Sequence, residues 1–184
     1  MPSRIAPATP PLPIEIAERL AKVMPPGLPP LTLFTTLARD KRLFERFMGG
    51  GLLDPGHLTL RQREIVINRV TALSGSEYEW GVHITFFAKR AGFTDAQIAS
   101  TAQNGPADPL WTVDERALLV ACDQLHNSCT IDDAGWAALR VHFTEESILE
   151  ILMLAGFYRM VSYVTNTLRL PLESYAARFP VASA

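Results

Sequence analysis

Residues 61–98, RQREIVINRVTALSGSEYEWGVHITFFAKRAGFTDAQI, contain the pattern that decides the fold. Two runs rich in aliphatic and aromatic residues flank a short small-residue segment, Ser74-Gly75-Ser76. Proline breaks helix interiors, and the whole stretch contains none. The pattern therefore predicts two antiparallel helices joined by a tight turn.

Further helices are predicted on both sides of this hairpin. Capping boxes, a Ser or Thr followed three residues later by Glu or Gln, start at Thr59, Ser76, Thr94 and Thr112. The predicted helices cover 14–23, 31–48, 60–74, 77–91, 95–103, 113–127, 131–142 and 145–169. No segment shows the sustained two-residue alternation of a strand, so we predict an all-α fold without a sheet.

The chain length and the distribution of prolines indicate how the domain is organised. The 184 residues suit one domain, and we predict a single domain over residues 1–184. Nine of the fourteen prolines lie in the first 30 residues, which form an extended arm that we expect to wrap a neighbouring subunit. The formal net charge of −2 gives no basic field for nucleic acid or an anionic membrane.

Neither membrane insertion nor secretion is indicated by the sequence. The best apolar run, 148–155, is interrupted by Glu150, and the N-terminus has no continuous apolar segment of the secretory kind. The two cysteines, Cys122 and Cys129, form neither a CxxC pair nor a disulfide framework. This usage is typical of a reducing compartment, so we expect a cytoplasmic protein.

The first helix of the hairpin carries an unusual carboxylate. It is apolar over most of its circumference, and Glu64, Asn68 and Thr71 form one narrow polar stripe at helical spacing. A helix apolar on several sides is usually buried, and a buried carboxylate needs a partner or a water-lined pocket.

A partner for Glu64 is available on the second helix. Glu79 and His83 are four residues apart, and they share a face with Phe86 and Arg90. Because the connection through Gly75 is short, the two helices should be neighbours and Glu64 could face His83. Trp80, Ile84 and Phe87 lie beside this face and would make its surroundings apolar.

The stretch at 61–98 resembles the core helical hairpin of the carboxymuconolactone decarboxylase and AhpD-like superfamily. The shared features are an arginine-glutamate start, a hydrophobic helix, a small-residue turn, a histidine one turn into the next helix and a following Ala-Gly. The closing segment GFYRMVSYVTNTLRLPLE, residues 156–173, resembles the last helix of many members. The resemblance implies an AhpD-like helical domain and assembly as a dimer, trimer or hexamer.

The resemblance also separates two branches of that superfamily. In its thiol peroxidases a glutamate precedes a CxxC pair and then a histidine, and these positions fall on Glu64, Ser76, Glu79 and His83. Serine forms neither a disulfide nor a sulfenic acid, so that redox cycle is unavailable at these positions. The implied activity is a cofactor-independent, decarboxylase-like lyase acting on a small organic acid or lactone, in aromatic catabolism, with no metal and no organic cofactor.

Specific roles follow for this reaction. His83 is the predicted hydrogen-bond donor and general acid, while Glu64 holds its tautomer and raises its pKa. The predicted substrate-binding residues are Glu79, Trp80, Phe86, Arg90 and Tyr158.

Several of these residues also have structural interpretations. Ser76 and Glu79 are explained equally well as a helix cap, and Arg90 as a solvated helix end. Tyr158 and Ser162 could belong to the core. A metal held jointly by Glu64, Glu79 and His83 is the least favoured alternative.

Two other functions remain open at this point. One is an antioxidant protein related to the alkylhydroperoxidases that lacks their CxxC pair, and the other is a noncatalytic protein that binds a ligand in the same pocket. Cys122 and His126 share a helix face, but two ligands do not make a zinc site, so the roles of Cys122, Cys129 and His126 stay undefined.

Overall fold

The computed structural model describes residues 3–181, and no strand occurs among them, so the predicted all-α fold is confirmed. In this part of the chain the α-helices are α1 (Ile14–Val23), α2 (Thr32–Leu37), α3 (Lys41–Gly50), α4 (Leu60–Leu73), α5 (Glu77–Phe87), α6 (Asp95–Ala102), α7 (Val113–Ser128), α8 (Asp133–His142) and α9 (Glu145–Leu168). A 3-10 turn, Gly105–Ala107, lies between α6 and α7.

Helix α4 lies at the centre of the fold. It packs against α5, α6, α7 and α9, which accounts for its apolar circumference. Ile65, Val66 and Ile67 are fully buried, and each buried side chain of this size contributes roughly 1.5–3 kcal/mol of transfer free energy. Gly75 allows the tight turn into α5 because its φ of 63° lies in the left-handed region.

Helix capping confirms most of the predicted starts. At Thr59 and Thr94 both bonds of the capping box are present. At Thr112 the backbone N–H donates to the Glu115 carboxylate.

The box predicted at Ser76 is wrong. Its hydroxyl makes no cap bond and instead shares a 2.8 Å hydrogen bond with Thr165 Oγ1 of α9. Glu79, the other member of the predicted box, lies beside His83.

Two predicted helices differ from the observed ones. The helix expected over 31–48 is two helices, because Asp40 interrupts it: its carboxylate accepts a hydrogen bond from the Leu43 N–H and starts α3. The helix expected over 77–91 ends at Phe87, and Arg90 lies in the turn that follows.

The N-terminal arm packs on its own chain. Ile16 and Leu20 of α1 are buried with Ala38 and Phe44 in a small second core. The Arg4 N–H donates to the Leu168 carbonyl at the end of α9. The described part of the arm therefore packs against helices of its own chain.

Helix α9 is the one helix in residues 3–181 that is long and apolar enough to cross a membrane by length and composition. Its most apolar 18-residue window has a mean hydropathy of 1.4, although Glu150 interrupts the apolar run at 148–155. However, 44% of that window is buried, and the helix packs against α4 and α5. The core helix of a soluble protein has the same properties.

Gly81 marks a close approach between α5 and the C-terminal segment. A Cβ at this position would lie 2.2 Å from the Ala177 carbonyl oxygen, and the Ala177 N–H donates to the Gly81 carbonyl. We expect Gly81→Ala to displace this segment and to lower the free energy of unfolding by about 1–3 kcal/mol, measured by urea unfolding. Gly49→Ala is the control, because nothing lies within 4 Å of its Cβ position, and equal effects of the two changes would contradict the prediction.

Candidate functional site

A cavity of about 630 Å³ lies between the hairpin, α9 and the helices of the N-terminal region. Most of its wall is apolar, with side chains from five regions of the chain, among them Met24, Leu31, Phe34, Phe47, Val82, Phe86, Phe87 and Phe157. Its polar lining residues are Arg19, Asp54, Glu79, His83, Arg90 and Tyr158. A mostly apolar cavity with a few polar groups is typical of small-molecule binding sites.

His83 is held between two carboxylates at the wall of this cavity. Its Nδ1 lies 2.9 Å from Glu64 Oε2, and its Nε2 lies 3.5 Å from Glu79 Oε1. All three side chains are buried, with exposed fractions of 4%, 0% and 7% for His83, Glu64 and Glu79. The positions of Glu64 on α4 and of Glu79 and His83 on α5 place the three groups in one row.

The two carboxylates determine the charge of the imidazole. Burial by itself lowers the pKa of His83, but the charge and hydrogen bond of Glu64, together with those of Glu79, raise it to about 9. Near neutral pH the ring is therefore an imidazolium, and both ring nitrogens carry protons. His83 can donate a proton or a hydrogen bond at the cavity wall.

Arg63 extends this row of charges, and the sequence analysis missed it. Its Nε lies 3.6 Å from Glu64 Oε1, and its Nη1 donates to the Leu53 carbonyl. The Asn68 amide donates to the Glu64 backbone carbonyl one turn along α4. The signal available in the sequence was a basic residue directly before the buried glutamate.

Two polar groups beside His83 have no partner among residues 3–181. Glu79 Oε2 is buried without a hydrogen bond, and none is formed by the Tyr158 hydroxyl in the described chain. Burial raises the pKa of Tyr158 well above its usual value, as do the charges of Glu79 and Glu64, so this hydroxyl stays protonated. The Tyr158 ring meets the His83 ring edge-on, with 5.0 Å between centroids. The cavity thus offers one free acceptor and one free donor close to His83.

The structure brings together most of the residues that the sequence singled out. Glu79, Phe86, Arg90 and Tyr158 line the cavity, and Glu64 contacts His83 from behind it.

Trp80 does not belong to this site. It is buried on another side of α5, where its Nε1 donates to Thr101 and its ring packs against Phe179. One residue along a helix turns the side chain by about 100°, so a neighbour of Glu79 in sequence points away from the cavity. Ser162 also lies outside the lining and donates to the Tyr158 carbonyl.

Neither cysteine lines the cavity. Cys122 is fully buried in the core, and burial raises the pKa of its thiol to about 12. Cys129 is exposed at the end of α7. His126 contacts Arg159, and burial and that guanidinium lower its pKa. Within residues 3–181, no group of three or more His, Cys, Asp or Glu is arranged to hold a metal ion.

Comparison with known proteins gives this arrangement a context. Residues 41–123, from α3 into α7, match the model of the carboxymuconolactone decarboxylase family. This match supports the carboxymuconolactone decarboxylase and AhpD-like superfamily for residues 41–123. The match includes Glu64, Glu79 and His83, but it excludes α1, α2, α8 and α9. No curated protein sequence matches the chain.

Solved structures share the fold at low sequence identity. A peroxidase-related protein from Silicibacter sp. TM1040 is 19% identical, with a TM-score of 0.82 over 97% of this chain and 98% of that one. An alkylhydroperoxidase AhpD core protein from Ralstonia eutropha JMP134 is 22% identical, with a TM-score of 0.75 over 89% and 87%. A cysteine-to-alanine variant of the debrominase Bmp8, in complex with 2,3,4-tribromopyrrole, is 14% identical, with a TM-score of 0.72 over 95% and 94%. At these identities the likeness shows the fold alone and no particular activity.

Proposed function

We propose that the protein is a cofactor-independent lyase that decarboxylates a small organic acid or lactone, in the context of aromatic catabolism. One observation carries the proposal: His83 lies between the carboxylates of Glu64 and Glu79 at the wall of an apolar cavity, an arrangement that favours the protonated ring. Such a group is suited to acid–base chemistry. A site for thiol redox chemistry would need a cysteine in the cavity, and neither Cys122 nor Cys129 lines it.

The cavity lining supports a substrate with an apolar body and a carboxylate. The aromatic and aliphatic wall fits an unsaturated ring or chain, and Phe86 and Phe87 lie on the same helix as His83. Arg19 and Arg90 line the same cavity, and a guanidinium is suited to pairing with a carboxylate. The Arg90 guanidinium lies 5.7 Å from the centre of the Phe87 ring.

Decarboxylation requires a group that stabilises the electron pair left on the substrate when carbon dioxide departs. When the carbon–carbon bond to the carboxyl group breaks, the electron pair stays with the substrate and delocalises onto a carbonyl oxygen. In the proposed mechanism the His83 Nε2–H stabilises that oxygen, and the proton then goes to carbon. The Glu64 carboxylate stays hydrogen-bonded to Nδ1, which fixes the ring, and water returns to the imidazole the proton that it gave to carbon.

The unpartnered groups beside His83 fit the same scheme. Glu79 Oε2 can accept a hydrogen bond from a substrate hydroxyl or from an enol formed during the reaction. The Tyr158 hydroxyl can donate to a substrate carbonyl from the opposite helix, α9. Together these groups would orient the substrate over the imidazole, which is the role of positioning groups in such sites.

The test is release of carbon dioxide from a panel of carboxylated lactones and unsaturated acids that includes carboxymuconolactone. The expected result is turnover that survives alkylation of the thiols with iodoacetamide. Only Cys129 should react in the folded protein, because Cys122 is buried and its thiol pKa is raised to about 12. Mass spectrometry of the labelled protein checks this expectation, and Cys129→Ser is the control.

Two outcomes would contradict the proposal. One is hydroperoxide reduction that iodoacetamide abolishes, which would indicate an antioxidant thiol enzyme. The other is tight binding of panel compounds without any turnover, which would indicate a noncatalytic ligand-binding protein.

A further inference from the structure

One face of α9 is apolar, exposed and regularly spaced. Leu149, Met153, Met160 and Tyr163 have exposed fractions of 61%, 64%, 37% and 58%. With the exposed Gly156 they occur at alternating spacings of four and three residues, and we call this set the outer stripe of α9. A three–four alternation is the pattern by which one helix packs along another in a coiled coil. The opposite face of α9 packs in the core, whereas the outer stripe is left largely exposed among residues 3–181.

We propose that the outer stripe binds the same stripe of a second copy of this chain, with the two α9 helices antiparallel. The order of residues favours this arrangement, because Gly156 lies midway between Leu149 and Tyr163. A two-fold axis at Gly156 would place Leu149 opposite Tyr163 of the second copy and Met153 near Met160 of the second copy. Such a contact is self-complementary, as a two-fold interface must be.

Gly156 allows the two helices to approach closely at this axis. Nothing lies within 4 Å of the position where a Cβ would be. Small residues at a helix crossing let the backbones come near each other, and here the site is open on the outside of the fold. Tyr163 is already oriented for contact, because the Arg159 Nε donates to its hydroxyl at 3.1 Å.

Charge along α9 favours the antiparallel direction. The helix begins with Glu145, Glu146 and Glu150, whereas its second half and C-cap carry Arg159 and Arg169. An antiparallel pair places the acidic end of each helix beside the basic end of the other, and it also opposes the two helix dipoles. A parallel pair would place like charges together.

The same charges argue against a membrane as the occupant. Helices that lie on membranes carry Lys and Arg beside their apolar face, whereas the start of α9 carries three glutamates. A second copy supplies both the apolar surface and the opposite charges. This proposal does not depend on the enzymatic activity.

Light scattering and sedimentation test the assembly. The protein at tens of micromolar should have twice the 20.3 kDa chain mass, and Met153→Glu with Met160→Glu should convert it to a monomer. The matched control is Ile14→Glu with Val113→Glu, two exposed apolar positions on α1 and α7, which should leave the dimer intact. A monomeric unmodified protein, or a dimer that survives the α9 changes, would overturn the proposal.

Cysteine crosslinking tests the direction of pairing in a Cys129→Ser background. Gly156→Cys should form a disulfide with itself, since disulfides need Cα atoms within about 7 Å. Leu149→Cys alone should not, because antiparallel helices would separate its two copies by about 21 Å, whereas mixing it with Tyr163→Cys should give a crosslinked heterodimer. Two results would refute the antiparallel arrangement. One is a disulfide between two copies of Leu149→Cys, and the other is a Gly156→Cys protein that assembles but forms no disulfide with itself. Vesicle binding by a monomeric protein would favour the membrane instead.

Discussion

His83→Ala is expected to lower turnover by roughly two to four orders of magnitude, the usual contribution of a general acid–base group. Glu64→Gln should cost about as much, because it keeps the shape of the side chain but removes the charge that keeps His83 protonated. The double variant should be little worse than either single one, since groups that act as a unit are not additive. Steady-state kinetics on the substrate found in the carbon dioxide assay measures these effects.

A titration independent of activity accompanies this kinetic cycle. Nuclear magnetic resonance of the His83 ring should give a pKa of about 9 in the unmodified protein and a clearly lower pKa in Glu64→Gln. Glu115→Gln is a matched control, because Glu115 is also a buried carboxylate but pairs with Arg61 outside the cavity. It should change neither the pKa of His83 nor turnover per folded molecule. Strictly additive kinetic losses, or equal His83 pKa values in all variants, would show that Glu64 and His83 do not act together.

Stability is expected to fall as the pH rises from about 6.5 to 9. The pKa of His83 is about 9 in the folded protein and 6.5 for a free histidine, so the folded state binds more protons across this range. The stabilising contribution is fully present below pH 6.5 and is lost as the pH passes through the folded pKa. A shift of this size corresponds to about 3 kcal/mol in the free energy of unfolding.

Urea unfolding at several pH values measures this loss. Glu64→Gln should flatten the decline, because its His83 no longer gains a proton-dependent contact on folding. Glu115→Gln should keep the slope of the unmodified protein even if it lowers stability at every pH. A slope that is the same in Glu64→Gln and in the unmodified protein would mean that other groups cause the pH dependence.

Local patterns in the sequence predicted the helices well. Apart from the two differences at Asp40 and after Phe87, the predicted boundaries lie within two residues of the observed ones. Capping and proline breakage act within one or two turns of helix, so they can be recognised in a short stretch of sequence. The contact between Glu64 and His83 could be predicted for a similar reason, because two helices joined by a turn as short as the one at Gly75 pack against each other.

The cavity could not be predicted in this way. Arg19, Phe47 and Phe157 come from helices far apart in the chain, and each is ordinary in its own segment. The sequence around Ser76 predicts a helix cap, yet its hydroxyl shares a hydrogen bond with Thr165, which is 89 residues away. Trp80 likewise lies outside the site because it packs against Thr101 and Phe179 on the other side of α5.

The sequence by itself determined an all-helical fold, a buried hairpin and a carboxylate–histidine pair without redox cysteines beside it. Only the tertiary structure decided that the N-terminal helices close a cavity over His83 and that α9 keeps one apolar face outside. The physical reason is the distance along the chain over which the relevant interactions act. Helix starts and turns depend on hydrogen bonds between residues a few positions apart, whereas the shape and charge of a cavity depend on which distant side chains fill the remaining space.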